Sequence, residues 1–262
     1  MMPIGFAGLE AQLWLWLVAM IRPGAAFIAA PVFGTPQVPV QLRLIVALAI
    51  GIPALQAAQF TLPDGGLASI AGVALVTGEV LAGLALGFAV QIGFSAALLA
   101  GETIGNAMGL GFAGMVDPTN GNQASALGSF LSILATFLFL AMGGHLALAA
   151  TIFESYRALP PGEAWMGADA IRGLVLFGGD LFATGLAVAL PVGFALILVQ
   201  IVMGVLARSA PSLNLFAVGL PAALLTGLIL LAIAAPVMGE GIIAGFGRGL
   251  DMAHDLALGG GG

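Results

Sequence analysis

The sequence predicts an all-α, polytopic membrane protein of long kinked helices and helical hairpins, with about six hydrophobic segments. Of its 262 residues, 61% are hydrophobic and only 7% are charged, whereas soluble domains have about 25% charged residues. So few charges cannot cover a water-exposed surface of this size. The uncharged stretches are also long, and residues 118–153 contain no Asp, Glu, Lys or Arg. No alternating strand pattern accompanies them.

The apolar segments follow one another along the chain with short breaks between them. Two shorter segments come first and four longer ones follow, at about 11–30, 44–62, 65–101, 118–153, 173–207 and 209–247. The breaks are clusters of turn-forming residues at 31–39, 63–66, 117–122 and 158–169. We therefore expect a single membrane domain over residues 1–262, with no soluble second domain.

The longer segments exceed what one membrane crossing requires. A helix over residues 118–153 would be about 54 Å long at 1.5 Å per residue, against about 30 Å of hydrocarbon. These segments are therefore either long kinked helices or tight hairpins. The candidate kink points inside them are Gly143–Gly144, Pro191, Pro221 and Pro236.

The composition excludes several classes of function. The absence of cysteine excludes disulfides, thiolate metal sites and thiol catalysis, and six scattered arginines make no basic stripe for nucleic acid. The chain has only two histidines, at positions 145 and 254, and no cysteine to join them as a ligand, so we expect no metal site and a buried, hydrogen-bonded His145. Because no catalytic constellation can be assembled, the chain is predicted not to be an enzyme and to need no cofactor.

Residues 109–114, GLGFAG, match the nucleotide-binding pattern G-x-G-x-x-G. With 40 glycines among 262 residues, about one such match is expected by chance. A dinucleotide fingerprint also requires a preceding strand, and here an apolar helical segment precedes the motif. We therefore do not interpret it as a phosphate loop.

Small residues recur at every fourth position through the same region. They are Ala97, Gly101, Gly105, Gly109 and Ala113. On a helix this spacing forms a face of small side chains, which lets helices approach closely in a membrane. We interpret Gly101, Gly105 and Gly109 as helix-packing residues.

Residues 110–122 are expected to form a loop between two apolar helices. Each glycine costs up to about 1 kcal/mol in a helix relative to alanine, and Asp117-Pro118 ends a helix. Loop backbone at membrane depth is tolerated only where protein buries it or water lines it. A loop facing a pore and an ordinary external connector both fit these residues.

Three acids lie alone inside apolar segments, namely Glu79, Glu102 and Asp180. Intramembrane acids are costly and often mark ion or substrate pathways, so they favour a secondary transporter as the alternative function. Each acid could instead lie at a helix end or pair with an arginine. The candidate arginines are Arg22, Arg43 and Arg172. Glu102, beside the predicted loop, is the strongest candidate for a pore-lining role.

Residues 208–221 predict a corner between two helices. Arg208 suits a helix C-terminus, where a cation interacts favourably with the dipole. Ser209 could cap the next helix, with Pro211 in its first turn. The residues that we single out in this corner are Arg208, Pro211, Asn214, Gly219 and Pro221.

In this order and spacing, the motifs resemble the FliR family, membrane proteins of the flagellar type III export apparatus with relatives in injectisomes. The central resemblance lies in Gly101-Glu102-Thr103-Ile104-Gly105, Met108-Gly109-Leu110-Gly111-Phe112-Ala113 and Val116-Asp117-Pro118. It continues in Gly144-His145-Leu146, in Glu154-Ser155-Tyr156-Arg157 with Leu159-Pro160, and in the 208–221 corner. The resemblance covers essentially the whole chain.

The resemblance implies a structural subunit of the flagellar export gate, in the bacterial inner membrane at the basal body. The implied partners are FliP-like and FliQ-like subunits, FlhB-like and FlhA-like proteins, membrane lipid and unfolded export substrates. It also implies that the loop belongs to a plug that closes the pore. The corresponding residues are Leu110, Gly111, Phe112, Ala113, Gly114, Met115, Val116, Asp117 and Pro118. Transport is driven elsewhere in such systems, which agrees with the absence of a catalytic site.

Overall fold

The computed structural model describes residues 4–58, 60–63, 65–111, 125–162, 167–209 and 215–259. Its helices are α1 (Ile4–Ala29), α2 (Val40–Ala57), α3 (Ile70–Ala107), α4 (Ala126–Ala141), α5 (Gly144–Ala158), α6 (Ala168–Ser209) and α7 (Leu215–Ala257). These described residues include no β-strand. The predicted all-α class is confirmed.

Five of the described helices are long and apolar enough to cross a membrane, namely α1, α2, α3, α6 and α7. Helices α4 and α5 pass the same test only as a pair, and they are bent by 62° at the break between them. Counting that pair as one span gives six, so the prediction of about six hydrophobic segments is confirmed.

The bend between α4 and α5 lies at the predicted glycine pair. Gly143 has a φ of 75°, a left-handed conformation that glycine adopts without the steric cost of a side chain. By contrast, Pro191 lies inside the continuous helix α6, and Pro221 and Pro236 lie inside α7. The 118–153 segment is therefore broken into two helices, whereas α6 and α7 extend unbroken over 42 and 43 residues.

The chain divides into two compact units. Unit 1 comprises residues 1–92, 140–178 and 247–262, and unit 2 comprises residues 93–139 and 179–246. Helices α3, α4, α6 and α7 contribute residues to both.

Close helix contact through glycine builds the interior of unit 1. A Cβ atom added to Gly51 of α2 would overlap the carbonyl of Ala19 in α1. One added to Gly83 or Gly87 of α3 would overlap the α1 carbonyls of Arg22 or Ala26. Glycine therefore places α2 and α3 directly against the backbone of α1, as expected where lipid provides no hydrophobic drive for association.

An aromatic cluster forms part of the interior of unit 2. The ring centroids of Phe94 and Phe246 lie 5.7 Å apart in a stacked arrangement, and Phe139 meets both rings edge-on. Aromatic rings in these geometries contribute about 0.5–1.5 kcal/mol beyond the area they bury. The cluster joins α3, α4 and α7.

Candidate functional site

The C-terminal end of α3 lies immediately before the predicted plug loop. The helix ends at Ala107, and Gly109 has a φ of 83°. The N–H of Leu110 donates to Gly105 O at 2.9 Å and the N–H of Gly109 to Asn106 O at 3.0 Å. This pair of bonds is a Schellman motif with glycine in the left-handed position after the helix.

The small-residue face predicted through Gly109 therefore stops earlier than expected. Gly101 and Gly105 lie in α3, but Gly109 has left the helix and ends it. Gly109 is therefore not part of the helical face, because a left-handed residue breaks the four-residue spacing on which that face depends. The helix-packing role of these glycines remains a prediction.

The N-terminal end of α4 is capped by residues from two helices. The N–H of Gly128 donates to the Ser125 hydroxyl at 3.0 Å, the usual bond of a helix N-cap. In a capping box, the third helical residue is Glu or Gln and accepts from the N–H of the capping serine. Here that residue is Gly128, and the carboxylate comes from Glu102 of α3, which accepts from Ser125 N at 2.6 Å.

The contact between α3 and α4 explains the glycine at position 128. A Cβ added to Gly128 would overlap the Glu102 carboxylate. A Cβ added to Gly101 would lie 2.6 Å from the Gly128 Cα, closer than side-chain carbons approach in proteins. At Gly105, the nearest atom would be the Ser125 hydroxyl, at 2.9 Å. Glu102 and Ser125 thus join the two chain segments that flank residues 103–124.

A cavity of about 420 Å³ lies beside the end of α3. Its lining comes from α3 and the turn after it, from α6 and from α7, and includes Met108, Met203, Gly219 and Ala223. Beside it, Gln200 of α6 donates from its amide to the carbonyl of Ala107 at 2.8 Å. This bond satisfies one of the carbonyls that a helix end leaves without a partner.

The predicted plug residues fall mostly outside the described part of the chain. Leu110 and Gly111 are described, whereas residues 112–118 are not. The assignment of residues 110–118 to a plug remains a prediction.

The predicted corner at 208–221 is described at its two ends. Arg208 lies in the last turn of α6, as expected, and Gly219 and Pro221 lie in α7. Pro211 and Asn214 lie outside the described residues. Ser209 does not cap α7, because it belongs to α6 and its hydroxyl donates to the Val205 carbonyl at 3.2 Å.

A buried ion pair joins α1 to α3 in unit 1. Arg22 is 1% exposed and Glu79 is 2% exposed. The Nε atom of Arg22 donates to Glu79 Oε2 at 3.0 Å, and Nη2 donates to Oε1 at 2.7 Å. This two-bond arrangement uses the planar fork of the guanidinium, and it neutralises a carboxylate that would otherwise be costly in an apolar interior.

The same guanidinium also contacts α5. Its Nη1 atom donates to the Ser155 hydroxyl at 3.0 Å, and Nη2 donates to the Leu159 carbonyl at 2.7 Å. Its central carbon lies 4.2 Å from the centre of the Tyr156 ring, within the range of a cation–π interaction. We call Arg22, Glu79, Ser155, Tyr156 and Leu159 the Arg22 cluster.

The three isolated acids thus occupy different environments. Glu79 pairs with Arg22, Glu102 accepts from the backbone of Ser125, and Asp180 accepts from the Thr184 hydroxyl at 2.9 Å. Whether any of them lines a pore remains a prediction. The sequence indicated Arg22 only as one of three arginines that could pair with an isolated acid. Nothing in it indicated that Ser155 and Tyr156 contact the Arg22 guanidinium.

The histidines lie in partly open positions. His145 is half-buried at the start of α5, and its Nδ1 atom has no hydrogen-bond partner among the described residues. This nitrogen is itself buried, so for it the expected hydrogen bond is wrong, although the expected burial is not. His254 lies 3.7 Å from Glu154 on an exposed surface. Across the described ranges, no three His, Asp or Glu side chains are grouped as metal ligands.

Comparison with known proteins gives consistent matches over most of the chain. A family model described as bacterial export proteins, family 1, matches residues 13–248. The flagellar biosynthetic protein FliR of Pectobacterium carotovorum subsp. carotovorum is 35% identical over 218 residues, which are 83% of this chain and 83% of that protein. FliR of Escherichia coli strain K12 is 33% identical over 227 residues, 87% of this chain and 85% of the relative.

The similarity extends to relatives of lower sequence identity. FliR of Bacillus subtilis strain 168 is 27% identical over 226 residues, 85% of this chain and 86% of that relative. The region matched by the family model includes Arg22, Glu79, Glu102, Ser125 and Tyr156. Both the Arg22 cluster and the cap of α4 therefore lie inside the shared part of the chain.

Proposed function

The chain belongs to the family of bacterial export proteins, family 1, and we propose that it is a structural subunit of the flagellar type III export gate, which forms the protein-conducting pore and helps to close it. The match to the family over residues 13–248 carries this proposal. The FliR relatives are named as flagellar biosynthetic proteins, which favours the flagellum over the injectisome. The gate lies in the bacterial inner membrane, at the flagellar basal body.

The length of the exposed apolar surface supports assembly with other subunits. On α6, exposed large apolar side chains run from Val175 to Leu206, about 47 Å along the helix at 1.5 Å per residue. A helix tilted by 40°, the upper end of the usual range, spends only about 39 Å in hydrocarbon. Lipid alone does not cover this surface, so we assign the remainder to apolar helices of FliP-like and FliQ-like partners, with FlhB-like and FlhA-like proteins alongside.

Residues 110–118 are proposed as part of the plug of this pore. The support is their position between two chain segments that are joined through Glu102 and Ser125. The helix before them ends in a Schellman motif and the helix after them begins with a capped turn. The described residues on either side of this segment, Leu110 before it and Ser125 after it, are therefore held by hydrogen bonds in unit 2.

A secondary transporter is not favoured. That alternative depends on carboxylates that are available to bind an ion or a substrate. Both oxygens of Glu79 accept from Arg22, and Glu102 accepts from the backbone of Ser125. The proposed subunit has no catalytic role, and export substrates pass through the assembly that it helps to build.

The proposal is tested by deleting the gene and by purifying the tagged chain from its own bacterium. We expect the deletion strain to lack flagella, and the tagged chain to purify with FliP-like and FliQ-like subunits. Normal motility of the deletion strain would contradict the flagellar role. A functional chain that never purifies with these partners would contradict the gate assembly.

The plug is tested separately by deleting residues 110–120 in the complete complex. We expect higher membrane conductance to small ions, while the complex still assembles with its partners. Conductance at the wild-type level in a fully assembled complex would mean that the segment is only a connector. Restoring the deleted length with a Gly/Ser segment is the matched control for chain connectivity.

A further inference from the structure

Helix α1 has a break in its backbone hydrogen bonding in the interior of unit 1. Pro23 lies inside the helix and has no N–H, so the carbonyl four residues earlier, that of Ala19, loses its helical donor. Five prolines lie inside the described helices, at positions 23, 53, 191, 221 and 236, and only Pro23 is buried. Water therefore cannot replace the missing donor at Ala19, which is 0% exposed.

A side chain from α5 supplies a donor to this carbonyl. The Tyr156 hydroxyl donates to Ala19 O at 3.2 Å. Tyr156 is 1% exposed, and it is the only tyrosine in the chain. A buried carbonyl without a donor destabilises the folded state, and side chains of neighbouring helices are known to satisfy such groups where proline interrupts a membrane helix.

Helix α1 in turn satisfies the end of α5. The last carbonyls of a helix have no partner within it, and α5 ends at Ala158 with Leu159 as its C-cap. The Leu159 carbonyl accepts from Arg22 Nη2 at 2.7 Å. Arg22 directly precedes Pro23, so the residue that caps α5 and the proline that needs Tyr156 are neighbours in one turn of α1.

We propose that these two bonds form a reciprocal clasp, in which Tyr156 replaces the backbone donor that Pro23 removes from α1 and Arg22 replaces the partner that α5 lacks at its end. Each helix supplies what the other is missing within a single turn. The clasp fixes the register of α1 on α5, because a shift by one helical turn, about 5.4 Å, breaks both bonds together. The inference does not depend on the export role.

The clasp predicts that the Tyr156 hydroxyl matters only because residue 23 is proline. In Pro23→Ala, the new N–H can donate to Ala19 O, so the hydroxyl becomes dispensable. Tyr156→Phe removes the hydroxyl and keeps the ring against Arg22. We expect Tyr156→Phe to reduce the equilibrium constant for folding of the full-length chain by about fivefold, but by less than about twofold when Pro23→Ala is also present.

The measurement is SDS-induced unfolding of the full-length chain in mixed micelles, for all four members of the cycle. Pro53→Ala is the matched control, because Pro53 also lies inside a helix of unit 1 but is exposed. With Pro53→Ala, Tyr156→Phe should keep its full effect. If Tyr156→Phe alone does not fold, adding Pro23→Ala should restore folding.

Three results would overturn the clasp. The first is an equal effect of Tyr156→Phe with proline and with alanine at position 23. The second is an equal rescue by Pro53→Ala, which would indicate a general effect of removing proline. The third is a double variant, Pro23→Ala with Tyr156→Phe, that does not fold.

Discussion

The Arg22 cluster of unit 1 and the cap of α4 in unit 2 use the same device with different chemistry. In both, a carboxylate from α3 satisfies a group that belongs to another helix. Glu79 meets a full positive charge on Arg22, and both residues are almost completely buried. Glu102 meets a neutral backbone N–H at Ser125 and is only partly buried.

The difference indicates at which of the two acids the loss of the partner group destabilises the fold more. A buried ion pair is not necessarily stabilising as a whole, but removal of one partner leaves an uncompensated charge. Removal of a partly buried carboxylate from a helix cap leaves only an unpaired N–H, which solvent can reach. Single substitutions of Arg22 or Glu79, the two charged partners, should therefore cost far more stability than a substitution in the cap.

The largest effect is expected for Arg22→Met. This change leaves the Glu79 carboxylate buried without its cation, and it should lower the free energy of unfolding by about 3–5 kcal/mol. Adding Glu79→Met should recover most of this loss, because the remaining groups are then neutral and of similar volume. The measurement is SDS-induced unfolding of the full-length chain, together with its level in the membrane.

The control for this prediction is a substitution of an exposed arginine. Arg172 lies near the start of α6 and is exposed, so Arg172→Met should change the free energy of unfolding by less than about 0.5 kcal/mol. A double Arg22→Met, Glu79→Met variant that is no more stable than Arg22→Met would contradict the assignment of the loss to an uncompensated charge.

A smaller effect is expected at the contact between α3 and α4. Gly101→Ala places a methyl group against the backbone of Gly128, which cannot move without shifting the helix, and overpacking of this kind costs about 1–3 kcal/mol. Gly105→Ala meets the side chain of Ser125 instead, and a side chain can rotate away. We therefore expect Gly101→Ala to reduce thermal stability more than Gly105→Ala.

The assembled complex gives a second test of this pair of glycines. Retention of the partner subunits on purification should fall for Gly101→Ala before it falls for Gly105→Ala. Equal effects of the two substitutions on stability would mean that close backbone contact is not what position 101 provides.

Much of the fold follows from the sequence, because composition and apolar length are local properties. The helical class, the number of spans and the break at Gly143 all come from such local signals. The helix end at Gly109 could also have been predicted, since Gly109 is followed by a glycine-rich segment that does not favour a continued helix. We instead assigned Gly109 to the helical face, because the four-residue spacing of small residues continues past the point where the helix ends.

The contacts between distant residues could not be predicted in the same way. Arg22 and Ser155 are 133 positions apart, and nothing in either segment identifies the other. The cap of α4 could not be recognised from the sequence either. A capping box has Glu or Gln three residues after the capping serine, and here that position is Gly128. The missing carboxylate is 23 residues earlier, on another helix. The hydrogen bond from Tyr156 to the carbonyl left without a donor by Pro23 could not be predicted either, because it depends on the packing of α1 against α5.

The smallest effect is expected at Glu102. Glu102→Ala removes the acceptor of the Ser125 N–H and should cost about 1 kcal/mol, as the loss of a helix cap does. Glu102→Gln keeps an acceptor oxygen and should cost less.

The informative variant combines Glu102→Ala with Gly128→Glu, because the two nearest atoms that exclude a side chain at position 128 belong to Glu102. A glutamate there can complete the capping box within α4 itself, so stability should return although the bond from α3 is absent. If Glu102→Ala has no effect on thermal stability, or if Gly128→Glu does not restore it, the carboxylate of Glu102 is not acting as a cap.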